Sequence, residues 1–180
     1  MSVSLEVNAE DPRWGDLDPV ARRAIDAGLR HLGQDPALFE VSLLACDDAR
    51  IAGLNTEFRA KAVPTNVLSW PSWDLTAEVR GALPDPPEPG TRDDPELLGD
   101  IALAYETCAR EATEQGKTFE VHVTHLIVHS LLHLLGYDHE TDEDAVLMEK
   151  TEALILAQLG IGDPYAGDDP EPPDGGAVVE

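Results

Sequence analysis

The alternation of apolar and polar positions divides residues 1–161 into short strands and longer helices. Alternating or continuous apolar runs bounded by turn residues are typical of strands, whereas apolar positions three or four apart are typical of helices. The predicted strands are 3–7, 40–46, 66–70 and 97–104. The predicted helices are about 18–33, 49–58, 105–116, 118–135 and 141–159. This order predicts one α+β domain in which a small mixed four-stranded sheet packs against about five helices.

Residues with known capping preferences mark the ends of these elements. Asp18 precedes a proline and is predicted to cap the first helix, and Asp47 or Asp48 is predicted to cap the second. Gly136 is predicted to end the fourth helix, because glycine readily takes the left-handed conformation found after helix ends. Pro71 is predicted to end the hydrogen-bond ladder of the third strand, since proline has no amide proton to donate.

Two stretches show no such periodicity. Residues 72–97 are rich in Pro, Asp and Gly, and we expect an acidic, mobile loop inserted in the domain. Residues 162–180 combine prolines and acids, and we expect a disordered tail. The predicted organisation is therefore a single catalytic domain over 1–161, with the insertion at 72–97, followed by the tail.

Length and cysteine usage bound the class of protein. A chain of 180 residues is long enough for one domain with a substantial core. Cys46 and Cys108 lie far apart inside predicted elements, which argues against a disulfide framework and favours a reducing compartment. The N-terminus lacks the pattern of a signal peptide, and no stretch approaches the ~20 apolar residues of a membrane span. We expect a cytoplasmic protein.

The formal net charge of −24 argues against a broadly basic nucleic-acid-binding surface. The charge is uneven, however, since many acids lie in the predicted loop and tail. Half of the 12 Lys and Arg residues fall in the first third of the chain, so a local basic patch remains compatible with the acidic bulk. Arg22, Arg23 and Arg30 share one face of the first helix, which is either a solvated surface or a contact with an RNA backbone.

A histidine cluster at the end of the fourth helix carries the main chemical prediction. His129 and His133 are four residues apart, so they lie about 40° apart around the helix axis and point the same way. After Gly136 the chain can turn back and bring His139 toward the same point. Three imidazoles predict a Zn²⁺ site with an open fourth position, which is the catalytic type. The alternative is that these histidines are only packed core residues.

The spacing H-x3-H-x2-G-x2-H also occurs in metzincin peptidases, where a Glu after the first histidine activates water. That position is Ser130 here, and serine is a poor base at neutral pH. The substitution counts against proteolysis and leaves the metal prediction intact.

Taken with two further motifs, the cluster resembles the YbeY family of single-strand-specific endoribonucleases. The matching blocks are Leu54-Asn55-x-x-Phe58-Arg59 with 64–71, Leu98-Gly99-Asp100-Ile101, and His129 to His139 with His125 upstream. The resemblance implies one zinc ion held by His129, His133 and His139, with Arg59 as a catalytic residue. It also implies action in ribosomal RNA processing, small-subunit rRNA maturation and ribosome quality control, with a small-subunit ribosomal protein and a ribosome-associated GTPase as partners.

The chain departs from the family pattern at two positions: Ser130 stands where glycine is common, and Asn66 where aspartate is common. For Arg59, the hypothesis is that its guanidinium grips two oxygens of the scissile phosphate, a geometry that lysine lacks. Asp138 could orient His139 or simply hold the turn.

The remaining polar and aromatic residues near the cluster receive structural predictions. His125 is predicted to be packed or hydrogen-bonded, His122 to be at the surface, Tyr137 to be in the core, and His31 to be structural.

Two other functions stay open at this point. One is a metallopeptidase in which another carboxylate, such as Glu140, replaces the missing Glu. The other is a ribosome-assembly factor whose zinc only stabilises the fold. Ligation by histidine alone suits Zn, Cu or Ni, so zinc is not fixed by the residues themselves.

Overall fold

The structure is a computed structural model that describes residues 2–59 and 65–165, apart from the side chains at 56–59. In this described part the strands are β1 (Ser4–Ala9), β2 (Phe39–Cys46), β3 (Val67–Pro71) and β4 (Glu96–Ala104). The helices are α1 (Asp18–His31), α2 (Asp48–Arg59), α3 (Tyr105–Glu114), α4 (Phe119–Leu134) and α5 (Asp142–Gln158). Short 3-10 turns at Pro12–Trp14 and Pro36–Leu38 precede α1 and β2.

The four described strands form one mixed sheet in the order β1-β2-β4-β3. β1 pairs with β2 and β2 with β4 in parallel, whereas β3 runs antiparallel to β4 at the edge. Pro71 is the last residue of β3 and lies opposite Gly99, as expected for a proline at the end of a ladder. The predicted mixed α+β fold is confirmed, with strand bounds shifted by one or two residues.

Side-chain alternation on the strands supplies two apolar cores, one on each face of the sheet. From β2, Val41 and Leu43 enter the larger core, which is built with α1, α4 and α5. Cys46 enters the smaller core on the opposite face, with Ile51 and Leu54 of α2. This two-sided burial explains why β2 and β4 are apolar almost throughout, as strands covered on both faces are.

The predicted N-cap is correct for α2 and wrong for α1. Asp47 accepts a hydrogen bond from the amide of Arg50 at 2.8 Å and caps α2. Asp18 was predicted to cap α1, and this is wrong: Leu17 occupies the N-cap without a side-chain hydrogen bond. Asp18 is already inside the helix, where its carboxylate pairs with Arg22 one turn later at 2.9 Å. An i,i+4 ion pair has replaced the cap.

Cys46 and Cys108 are both buried, and both are free thiols. Cys46 is the last residue of β2, and Cys108 lies on α3. Burial raises the pKa of both thiols, to about 12 for Cys46. Neither side chain is therefore a reactive thiolate at neutral pH.

The segment between β3 and β4 is largely exposed but is attached to α5. The amide of Gly81 donates to Asp144 at 2.8 Å. At the other end of the chain, the described structure continues to Tyr165, four residues past the predicted boundary at 161. Residues 166–180, most of the predicted tail, lie outside the described residues. Within the described part, no helix has the length and apolarity needed to cross a bilayer.

Candidate metal centre

Helix α4 carries the histidine cluster through the middle of the fold. It packs against α1 and α5 in the larger core and lies beside β3 and β4. Every residue from His122 to Leu134 is buried except His133, which is half-buried. A helix that is apolar around most of its circumference is expected to be covered on all sides. Imidazoles in such a helix need polar partners or a ligand, because an unsatisfied buried nitrogen is costly.

The turn after α4 is fixed by a glycine. Gly136 has φ +99, and its amide donates to the carbonyl of His133. The amide of Tyr137 donates to the carbonyl of Leu132. These two bonds form the Schellman motif that ends many helices. A Cβ at Gly136 would also lie 2.6 Å from the carbonyl oxygen of Leu75, so a larger residue would be excluded twice. This turn reverses the chain and returns His139 toward the helix.

The structure brings His129, His133 and His139 together. The Nε2 atoms of His129 and His133 are 3.1 Å apart. One nitrogen from each of the three rings lies within 4.8 Å of the others. In tetrahedral zinc sites, bonds of about 2.0–2.1 Å place neighbouring nitrogens about 3.3–3.4 Å apart. The spacing of the first two nitrogens is close to that of such a site, and a ring nitrogen of His139 lies within 4.8 Å of both.

Hydrogen bonds at the other ring nitrogens explain why these two Nε2 atoms face each other. His129 donates from Nδ1 to Oε2 of Glu152, and His133 donates from Nδ1 to the carbonyl of Tyr137 at 3.1 Å. With the protons at Nδ1, each Nε2 presents a lone pair, and two lone pairs at this distance repel unless a cation lies between them. The donor set therefore fits a divalent metal ion.

The electrostatic surroundings keep His133 neutral. Burial, together with the neighbouring rings of His129 and His139, lowers the pKa of His133 to about 3. A neutral imidazole is the form that binds metals. The ring is thus available as a ligand across the physiological pH range without first losing a proton.

Glu152 on α5 was missed at the sequence level. Its side chain is fully buried and contacts His125, His129 and Tyr165. Burial raises the pKa of this carboxyl, but electrostatic attraction to His129 and the hydrogen bonds from His125 and His129 outweigh burial and lower the pKa to about 2. One signal was present in the sequence: Glu152 lies four residues after Met148 and three before Ile155, on the apolar stripe of α5. A carboxylate at a core position of a helix requires a partner.

A cleft of about 640 Å³ opens beside the three histidines. Alternate residues of β3, Val67, Ser69 and Pro71, line part of it, and the turn from Gly136 to Glu140 lines another part. His129 and His133 lie in its lining, so a metal held there would be reached from solvent. This is the open arrangement of a catalytic site rather than the closed one of a structural site.

Two further predicted site residues have different outcomes. Arg59 is the last residue of α2, and its side chain lies outside the described residues. Asp138 accepts the main-chain amide of His139 at 2.7 Å, so its carboxylate holds the turn. Of the two roles considered for Asp138, this contact favours the one in the turn. Tyr137 is buried, as predicted.

The histidines outside the cluster are placed as follows. His125 is buried and donates from Nε2 to Glu152 at 3.0 Å, which confirms the prediction of a hydrogen-bonded residue. His122 was predicted at the surface, and this is wrong: only 1% of it is exposed. Helix α3 covers it, and its Nε2 donates to Glu111 at 2.9 Å. His31 lies on α1, away from the cleft, and accepts from Gln158.

Glu111, the partner of His122, also binds Asn66, one of the two residues that depart from the family pattern. The side-chain amide of Asn66 donates to Oε1 of Glu111 at 3.0 Å. An aspartate at this position would place two carboxylates against each other, so an amide suits this local structure better.

The chain is similar to known proteins over most of its length. Residues 6–160 match the family model for "Endoribonuclease YbeY". The chain is 60% identical over 164 residues to an endoribonuclease YbeY of Ruegeria pomeroyi, covering 91% of this chain and 98% of the relative. A relative of the same name from Jannaschia sp. is 53% identical over 165 residues, covering 91% and 100%.

Among solved structures, the chain is similar to the solution structure of TM1509 from Thermotoga maritima, with a TM-score of 0.52 and 20% identity. The match covers 93% of this chain and 99% of the other, and it supports the fold alone. The resemblance drawn from the three sequence motifs is confirmed by the family model and the relatives.

Proposed function

Because the chain belongs to the YbeY family of endoribonucleases, we propose that it is a zinc-dependent endoribonuclease that cleaves single-stranded RNA in ribosomal RNA maturation. The observation that carries the proposal is the pair of Nε2 atoms of His129 and His133, 3.1 Å apart at the edge of an open cleft. We assign His129, His133 and His139 as the ligands of one Zn²⁺ ion.

The chemistry divides between the metal and the protein. A bound Zn²⁺ lowers the pKa of water toward ~7 and polarises a phosphoryl oxygen, either of which assists phosphodiester cleavage. His129 and His133 would hold the metal through Nε2, and their Nδ1 atoms donate to Glu152 and to the carbonyl of Tyr137. These outer hydrogen bonds orient the rings before the substrate arrives.

Arg59 is proposed as the catalytic residue that binds the scissile phosphate. A guanidinium can hold two phosphate oxygens through parallel hydrogen bonds, and this matches the charge that develops during cleavage. Its position along the chain supports the assignment, because α2 ends at Arg59 and leads into β3, whose Val67 and Ser69 line the cleft.

The proposed substrate and partners follow from the family and from charge. The net charge of −24 disfavours broad contact with RNA, so the cleft is proposed to hold a short single-stranded segment. A basic small-subunit ribosomal protein suits the acidic surface as a docking partner, and a ribosome-associated GTPase is the second proposed partner. Action on ribosomes implies a cytoplasmic location. The catalytic unit is proposed to span 1–161, with 162–180 as an acidic tail.

Two other functions are less well supported. A peptidase of the metzincin design needs a glutamate at position 130, whereas Ser130 is fully buried and does not line the cleft. A non-catalytic assembly factor would use zinc only to stabilise the fold. The open cleft beside the histidines favours the enzyme, because structural zinc sites are closed by a fourth protein ligand.

The test is cleavage of a labelled single-stranded ribosomal RNA fragment by the purified protein, with His129→Ala prepared in parallel. We expect cutting by the wild type that is lost in the variant and abolished by chelation. Equal cutting by both proteins would contradict the proposal. If neither cuts while the wild type holds zinc, also with ribosomal subunits present, the assembly-factor function would replace it.

A further inference from the structure

A buried carboxylate connects the candidate metal centre to the C-terminal segment of the described chain. Glu152 has no exposed surface, and its two oxygens face different partners. Oε2 accepts from Nδ1 of His129. Oε1 accepts from the hydroxyl of Tyr165 at 2.6 Å and from Nε2 of His125 at 3.0 Å. Oε2 therefore binds the ring of the metal cluster, and Oε1 binds two donors outside that cluster.

We propose that Glu152 is the positioning residue of the metal centre, fixing the tautomer and orientation of His129, and that Tyr165 holds Glu152 in place. This inference rests on the proposed metal site. It assigns a role to a residue outside the histidine motif and extends the working unit of the protein to Tyr165.

The first physical argument concerns the cost of the charge. A buried carboxylate without hydrogen bonds is strongly unfavourable, and a helix position between Met148 and Ile155 would ordinarily hold an apolar residue. Three donors converge on this one group, two of them from α4 and one from the segment after α5. Such full satisfaction makes the carboxylate rigid, and rigidity is what an orienting group needs.

The second argument concerns the tautomer of His129. A neutral imidazole carries its proton on either nitrogen, and only the Nδ1–H form leaves Nε2 free to face the Nε2 of His133. The carboxylate of Glu152 accepts at Nδ1 and so stabilises this form. Carboxylates that hold metal-ligating histidines in this way typically contribute 10–100-fold to metal affinity.

The third argument separates positioning from simple packing. A residue of α5 that only attached this helix to α4 would need a single contact with α4. Of the two cluster rings on α4, His133 has its Nδ1 taken by the carbonyl of Tyr137, and Glu152 accepts from the Nδ1 of the other, His129. A structural role predicts a change in stability alone, whereas a positioning role predicts a change in zinc affinity of the folded protein.

The test is the zinc dissociation constant of the full chain, measured by competition with a chromophoric chelator at fixed pH. For Glu152→Gln we expect a loss of about 10-fold, and for Glu152→Ala a loss of up to about 100-fold. Tyr165→Phe removes only the hydroxyl, and we expect a smaller loss of about 3-fold, below the usual range for direct partners. Glu149→Gln is the matched control. It removes a carboxylate about one turn earlier on α5 that does not hydrogen-bond to the cluster, and we expect its zinc affinity to be unchanged.

Two further measurements keep the outcomes distinct. Urea unfolding of the metal-free variants identifies any that fail to fold, and Glu152→Gln and Tyr165→Phe then carry the test. Long-range 1H–15N spectra of the imidazoles should show His129 protonated at Nδ1 in the metal-free wild type and a tautomer mixture in Glu152→Ala.

A wild type that binds no zinc would overturn the proposed metal site itself. A wild type that binds zinc while folded Glu152→Gln and Glu152→Ala bind it equally well would overturn only the role of Glu152. A loss that Glu149→Gln reproduces in full would also overturn it, because the effect would then come from charge rather than from the hydrogen bond.

Discussion

Each half of α4 carries two histidines about one helical turn apart, and the two halves use them in opposite ways. His122 and His125, in the first half, donate from Nε2 to the carboxylates of Glu111 and Glu152. His129 and His133, in the second half, donate from Nδ1 and turn Nε2 toward each other. The role of each histidine follows from which ring nitrogen donates the hydrogen bond. A histidine that donates from Nε2 to a carboxylate is a buried structural residue, whereas one that donates from Nδ1 keeps Nε2 available for a metal ion.

The difference arises from what covers each half. Helix α3 packs over the first half and closes it, so His122 retains 1% exposure. The second half ends in the turn at Gly136, which opens onto the cleft. Burial lowers the pKa of both His125 and His133, so neutrality is common to the two halves and does not distinguish them. The four predictions below test the comparison, from the largest expected effect to the smallest.

His133→Ala should abolish zinc binding and RNA cleavage. Removing one of three ligands should weaken zinc affinity by more than the 10–100-fold that loss of an outer partner costs. The measurements are bound zinc after dialysis and cleavage of labelled single-stranded RNA. His31→Ala is the matched control, because this histidine lies on α1 outside the cluster. If His133→Ala still bound zinc, the second half of α4 would no longer differ from the first half as the part of the helix that binds metal.

Arg59→Lys should separate metal binding from catalysis. The charge stays, but the forked contact with two phosphate oxygens is lost, and the cleavage rate should fall by roughly 10²-fold, as when one transition-state donor is removed. Zinc affinity should not change. Single-turnover cleavage beside Arg50→Lys, on the same helix, gives the comparison. Equal rates for Arg59→Lys and the wild type would refute the assigned role.

His122→Ala should affect stability and leave the metal site intact. It removes the imidazole that donates to Glu111, which keeps its hydrogen bond from Asn66, and a hydrogen bond to a charged group contributes about 1.5–3 kcal/mol. Urea unfolding of the metal-free protein should show that loss, while zinc affinity stays within ~2-fold, far below the 10–100-fold cost of an outer partner. Weaker zinc binding than this would mean that the first half of α4 belongs to the metal centre.

Asp138→Ala should produce the smallest change. The carboxylate accepts the main-chain amide of His139 in an exposed turn, and a hydrogen bond of this kind contributes about 1 kcal/mol or less. Zinc affinity should fall by less than ~5-fold, which is that energy expressed as a ratio. A loss as large as that expected for Glu152→Ala would instead assign Asp138 to orientation of the ligand ring.

Much of the candidate site could be predicted from the sequence because its geometry is local. The four-residue spacing of His129 and His133 fixes their common face through the helical repeat. Gly136 predicted the end of α4, and the left-handed conformation and Schellman bonds are present. Similarly, alternation along β2 and β4 predicted strands, and the mixed sheet contains both. Each of these inferences depends on residues within about two turns or one strand of each other.

One error is local: Asp18 was predicted as a cap, although it lies inside α1 and its carboxylate pairs with Arg22 one turn later. The other error and the omission concern contacts between distant segments. His122 was placed at the surface because nothing near it in sequence shows that α3 covers it. Glu152 is 23 residues from His129 along the chain and reaches it only because α5 packs on α4.

The sequence by itself determined the elements, the end of α4 and the three histidines, because backbone periodicity and glycine conformation act over a few residues. Only the tertiary structure decided which ring nitrogen each histidine uses, and hence which of them can bind metal. That choice depends on the hydrogen-bond acceptor placed against each ring by another element: Glu111 from α3, Glu152 from α5, and the carbonyl of Tyr137 from the turn. The packing of whole elements sets those acceptors, and no local pattern specifies it.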